Sequence, residues 1–144
     1  MTTRTVVLTP GASYAVAPEA TVAVLDLSHV ACDDADWTAR SALAIQSAAP
    51  EAPLLLVAAG DWARHAPALG FAQRSARRTV GGYLLVDPEL PAPGADWPDA
   101  PVTVVVTPLA DADTRTSALA ARLRGWEVLE GDPVAAIENV ATRA

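Results

Sequence analysis

Leu54-Leu55-Leu56-Val57-Ala58-Ala59-Gly60-Asp61-Trp62-Ala63 is the stretch from which the fold of this chain is read. Pro53 opens it, and Leu54 to Ala58 form an unbroken apolar run. Side chains on a strand alternate between faces, so a strand apolar at every position is one covered on both sides. Gly60-Asp61 ends the run, and a helix is expected from Trp62 to about Arg77. Pro67 falls near the first turn of that helix, where proline is tolerated. Strand, sharp turn and helix in direct succession are the unit of an α/β fold.

The unit recurs on either side. Thr5 to Thr9 reads as a β-branched strand stopped by Pro10-Gly11, and Thr21 to Leu27 as a second strand. Both are apolar nearly throughout, so both are expected to be covered on two faces. An Ala-rich helix ending at Pro50 follows, with Asp36 as its expected N-cap. Gly82 to Val86 is a fourth strand, ended by Asp87-Pro88. Glu89 to Pro101 contains Pro91, Pro93, Gly94 and Pro98 and reads as a surface loop. Val102 to Val106 is a fifth strand, and a helix from Thr114 to Arg124 is stopped by Gly125. Trp126 to Leu129 forms a sixth strand, and Pro133 to Ala141 a last helix with proline at its start. This order implies right-handed crossovers and a three-layer αβα sandwich with a mostly parallel six-stranded sheet, formed by residues 1–144 as one domain. The connection from Ala12 to Ala20 is short for a crossover and makes the pairing of the first two strands the least secure.

Composition narrows the function. Half of the 144 residues are hydrophobic (51%), which suffices for a core at this length. All ten basic residues are arginine, so lysine-dependent chemistry, including Schiff bases and a P-loop, is excluded. The net charge of −7 and the absence of an arginine run longer than Arg77-Arg78 argue against nucleic acid and anionic membranes as partners. The single Cys32 forms no internal disulfide, and no stretch approaches the roughly 20 apolar residues of a membrane span. The start of the chain is too short in apolar content for a signal peptide. A cytoplasmic location is expected.

Three segments together resemble the α/β-hydrolase superfamily. They are Leu8-Thr9-Pro10-Gly11 after the first strand, Val57-Ala58-Ala59-Gly60-Asp61-Trp62-Ala63 in the manner of a nucleophile elbow, and Tyr83-Leu84-Leu85-Val86-Asp87-Pro88 followed by Ala100 to Val106. The resemblance covers nearly the whole chain and implies a reduced core, with the cap domain shrunk to the proline-rich loop. It implies an oxyanion-hole turn at Gly11 and a nucleophile position at Asp61, flanked by the small residues Ala59 and Ala63. Dehalogenases and epoxide hydrolases of that superfamily use aspartate there. It implies an acid at Asp111 or Asp113 and a histidine near Gly131-Asp132-Pro133, where this chain has none, so the triad is degenerate.

Residue chemistry supplies its own candidates. In the strand order 2-1-3-4-5-6 that the resemblance implies, the switch point lies between strands one and three, and ligands bind outside the carboxyl ends of the strands there. Gly11, Ser13, Tyr14, Asp61, Trp62 and His65 fall on those segments. Asp61 is either a reactive carboxylate or a helix N-cap. His65, one helical turn on, and His29, after the second strand, are the only imidazoles for acid–base work; half-exposed surface positions are their ordinary alternative. Ser13 and Tyr14 are candidate hydrogen-bond donors to a ligand, or solvated loop residues. Asp111 and Asp113 are a displaced acid pair or helix caps before Thr114. Cys32 reads as a packed small residue. Trp37, Trp62 and Trp97 are candidates to line a pocket, and Trp126 to join the core. No spacing of His29, His65, Asp33 and Asp34 matches a metal-ligand pattern, so no metal and no cofactor are expected.

Two functions follow. One is an enzyme acting on a small acyl, ester or thioester metabolite, with catalytic Asp61, His65 and His29 and with Gly11, Ser13, Tyr14, Trp62 and Asp111 binding substrate. The other is a catalytically inactive binding or scaffold protein on the same fold. Without a cap the pocket is shallow, which favours a homodimer or a protein partner as its cover. A flavodoxin-like nucleotide domain fits the strand pattern, but the chain has no Gly-rich phosphate loop after the first strand.

Overall fold

The computed structural model describes residues 2–90, 97 and 100–143. Six strands, β1 (Thr5–Leu8), β2 (Ala23–Asp26), β3 (Leu54–Ala59), β4 (Val80–Val86), β5 (Val102–Val106) and β6 (Glu127–Glu130), form one sheet in the order β2-β1-β3-β4-β5-β6. Every pairing is parallel, including β1 with β2, where Thr5 lies opposite Ala23. Four α-helices flank it: α1 (Trp37–Ala48), α2 (Ala66–Ser75), α3 (Ala112–Leu123) and α4 (Pro133–Ala141). A 3₁₀ turn, Gly60–His65, joins β3 to α2.

β3 sits inside the sheet, and its alternation builds both halves of the core. Leu54, Leu56 and Ala58 face α1, α2 and α3 together with Trp37, Ile45, Leu69 and Ala121. Leu55 and Val57 face α4 together with Val6, Leu8, Leu84, Val105 and Ile137. Each buried leucine of this set contributes roughly 1.5–3 kcal/mol relative to exposure.

The layers are unequal, and the right-handed crossover rule accounts for it. Steps from β2 to β3 and onward through β6 all advance in one direction across the sheet, so their connections fall on one face. Only the step from β1 to β2 goes backward, and it crosses the other face. That connection, Thr9 to Val22, has no helix; it buries Ala12 and Val22 and half-buries Tyr14 and Val16. α4 is therefore the one helix of that layer among the described residues.

Several local expectations change. β2 is an edge strand with Ala23 and Asp26 exposed, so its apolar sequence does not mean double coverage. Asp36 stands at the N-cap position but does not cap. Its Oδ1 accepts from the Asp33 amide (2.7 Å), Asp33 Oδ1 accepts from the Asp36 amide (3.0 Å), and Arg40 Nε donates to Asp36 Oδ2 (2.7 Å). The helix expected from Trp62 splits into the 3₁₀ turn and α2, and Pro67 lies in the first turn of the latter. The loop expected over 89–101 lies mostly outside the described residues. No helix among the described residues is long and apolar enough to cross a membrane.

Candidate functional site

The carboxyl ends of β1 and β3 meet where the strand order reverses, as a ligand crevice requires. Here a side chain occupies that place. A Cβ built on Gly11, which has φ +90°, would lie 2.6 Å from Cδ1 and Nε1 of Trp62. The indole rests directly on the glycine backbone. It is nearly parallel to Trp37, with ring centroids 6.3 Å apart. Trp37 is wholly buried, and its Nε1 donates to Pro10 O (3.1 Å). Gly11 thus serves the packing of an aromatic wall.

Open space lies one strand further along. Asp61, Asp87, Glu89, Asp111 and Asp113 line a cavity of about 410 Å³ between the ends of β3 and β4 and the start of α3, with Thr114 and Ser117 on the helix side. The left-handed residue of the turn after β3 is Gly60 (φ 56°), and Asp61 lies beyond it inside the 3₁₀ turn. Asp61 is therefore not a helix N-cap, and it does not carry the backbone strain of an elbow nucleophile. The Glu89 amide donates to Gly60 O (3.0 Å), fixing the exit of β4 against the exit of β3. This brings the two carboxyl groups together. A hydrogen bond with Asp61 and the negative charge of Asp61 push the Glu89 carboxyl above its usual range, against a smaller opposing pull from Arg64.

Asp87 is the strained residue at this edge, with φ 43°. Its carboxylate accepts from the amide (2.9 Å) and the hydroxyl of Thr107, and its own amide donates to Val105 O (2.9 Å). Aspartate tolerates this conformation better than most residues. Tyr14 approaches from the other face: burial first, and the charge of Asp87 second, raise its phenol above the ordinary value, so it remains a donor.

The histidines do not join Asp61 by any hydrogen bond or ion pair among the described residues. His65 Nε2 lies 2.8 Å from Asp34 Oδ1, with its ring packed beside both Trp37 and Trp62. Arg64 binds the same Asp34 and reaches toward Glu89 at 3.8 Å. His29 is exposed beyond β2, near Asp26, whose carboxylate is held by the Ser28 amide and hydroxyl. Ser13 is exposed. Asp111 caps α3 by accepting from the Thr114 amide (2.8 Å), which keeps its own carboxyl below the usual range. The three tryptophans do not share a pocket: Trp97 packs edge-on against Tyr83 and Trp126, away from the Trp37–Trp62 pair. Cys32 is half-buried with its thiol pushed up mainly by burial, consistent with a packing role. No three of the described histidines, cysteines and acids converge as metal ligands. Sequence reasoning missed Glu89 and Thr107, because nothing local marks residues that meet Asp61 and Asp87 only across neighbouring strands.

No protein-family model, curated protein or solved structure matches this chain.

Proposed function

We propose that this chain is an acid–base enzyme acting on a small ester or thioester at the carboxyl end of its sheet, through the pair Asp61 and Glu89 rather than a triad. The observation that carries the reading is the convergence of Asp61 and Glu89 on one acid-lined cleft at the exits of β3 and β4. Asp61, as carboxylate, takes a proton from water as the water oxygen attacks the acyl carbon. Glu89, as carboxylic acid, donates its proton to the departing oxygen or sulfur. Such positioned proton transfers contribute about a hundredfold or more to rate. Tyr14 and the Asp87–Thr107 bridge stand at the same edge, to orient the ligand. The cytoplasm is the proposed compartment, in keeping with a free, half-buried Cys32.

A panel of chromogenic esters and thioesters tests this. Turnover by the native chain, lost in Asp61→Asn and in Glu89→Gln, supports the pair. Activity unaffected by both substitutions overturns it. A second reading, a binding domain without turnover, is favoured by the engagement of His65 and Arg64 with Asp34, which leaves the cleft no free imidazole. Ligand binding weakened in Asp61→Asn, with no turnover by the native chain, decides for that reading.

A further inference from the structure

The opposite end of the sheet carries a second cavity, of about 380 Å³, between the last turn of α2, the start of β4 and Ala100. Arg74, Arg77 and Arg78 line it, with Val80 and Tyr83 as its apolar wall and no carboxylate among the described lining residues. These are three of the ten arginines in a chain of net charge −7. Elsewhere Arg4, Arg40, Arg64 and Arg143 each pair with an acid; these three, like Arg115, Arg122 and Arg124, form no ion pair among the described residues. Arg78 is held in place, its Nη1 donating to Oε1 of the buried Gln73 (3.1 Å).

Two observations point from this cluster to a ligand. Tyr83 is 1% exposed, and its hydroxyl has no hydrogen-bond partner among the described residues. A buried donor left unmade is costly, and an acceptor reaching the cavity floor would satisfy it. Burial also raises the phenol well above its ordinary range, so it stays protonated and donating. Separately, Arg77 occupies a glycine position. The Arg78 amide donates to Gln73 O (2.9 Å) and the Arg77 amide to Arg74 O (3.0 Å), the bond pair of a Schellman C-cap, with Arg77 in the left-handed conformation at φ 57°. An arginine there is strained, and its side chain is delivered to the cavity mouth.

We infer that this cavity is a binding site for the phosphate group of a small phosphorylated molecule, held by the guanidinium groups of Arg74, Arg77 and Arg78 and by the Tyr83 hydroxyl. Guanidinium forks match phosphate oxygens in pairs, and a dianion balances three such charges better than a single carboxylate does. The volume lies at the lower end of small-ligand pockets. The site is separate from the carboxylate cleft, so it stands whether or not esters are turned over.

The test is thermal unfolding and calorimetric titration of the whole chain with inorganic phosphate and pyrophosphate, with acetate and sodium chloride at matched ionic strength as controls. Arg77→Gly is the decisive variant, because removing strain raises the unfolding midpoint by about 2 °C without ligand, so loss of binding is not loss of folding. The expected result is phosphate-dependent stabilisation of the native chain, with affinity weakened about tenfold or more in Arg77→Gly and in Arg74→Gln. Absence of stabilisation in the native chain, equal stabilisation by acetate, or unchanged phosphate affinity in both variants each overturns the assignment.

Discussion

The two ends of the sheet are opposites in charge and in how they are built. At the carboxyl end, five acids meet around the exits of β3 and β4, drawn from three separate chain segments. At the amino end, three arginines come from the last turn of one helix and the C-cap turn that follows it. The acidic end is a tertiary assembly held by cross-strand bonds such as Glu89 to Gly60 and Thr107 to Asp87. The basic end is a local feature of one C-cap. The difference teaches where each is vulnerable: the first to substitutions anywhere in its supporting wall, the second to substitutions of the arginines themselves.

The largest effect is expected from removing that wall. Trp37→Ala, at a wholly buried ring that donates to Pro10, is expected to cost about 3–5 kcal/mol in chemical denaturation. A loss of less than about 1 kcal/mol would mean the carboxyl end does not depend on its aromatic packing. Gly11→Ala comes next, at about 2–3 kcal/mol, since the new Cβ meets the Trp62 indole and the backbone is left-handed. If Gly11→Ala unfolds like the native chain, the indole does not rest on that backbone in solution. Thr107→Val removes the hydroxyl that donates to Asp87 and is expected to cost about 1–2 kcal/mol while leaving phosphate binding at the amino end unchanged.

The smallest effect is one of pH. The folded Glu89 carboxyl is raised above its unfolded value, so the native state holds an extra proton in the window between the two. Stability contributed by this site is therefore fully present below the unfolded value and is lost as pH rises through the folded value. Glu89→Gln is expected to raise the unfolding midpoint at neutral pH and to make little difference below about pH 4. If the chain turns over esters as proposed, its rate falls over the same rise in pH, because Glu89 would lose the proton it is to donate. A rate that rises through that window would exclude Glu89 as the acid.

Sequence by itself determined the parallel sheet and most element positions. An unbroken apolar run such as Leu54 to Ala58, bounded by Pro53 and Gly60, reads as a strand covered on both faces, and right-handed crossovers leave few ways to arrange six strands. The helix ends at Gly125 and the start at Pro133 were equally legible, because backbone chemistry is local. Asp61 was also singled out from its neighbours in the chain. What it meets was not: only the tertiary structure decided that Asp61 faces Glu89, that His65 turns to Asp34, and that Trp62 occupies the crevice over Gly11. Contacts between side chains on different strands depend on register and on how much space the packed rings leave, and neither quantity is carried by any single stretch of sequence.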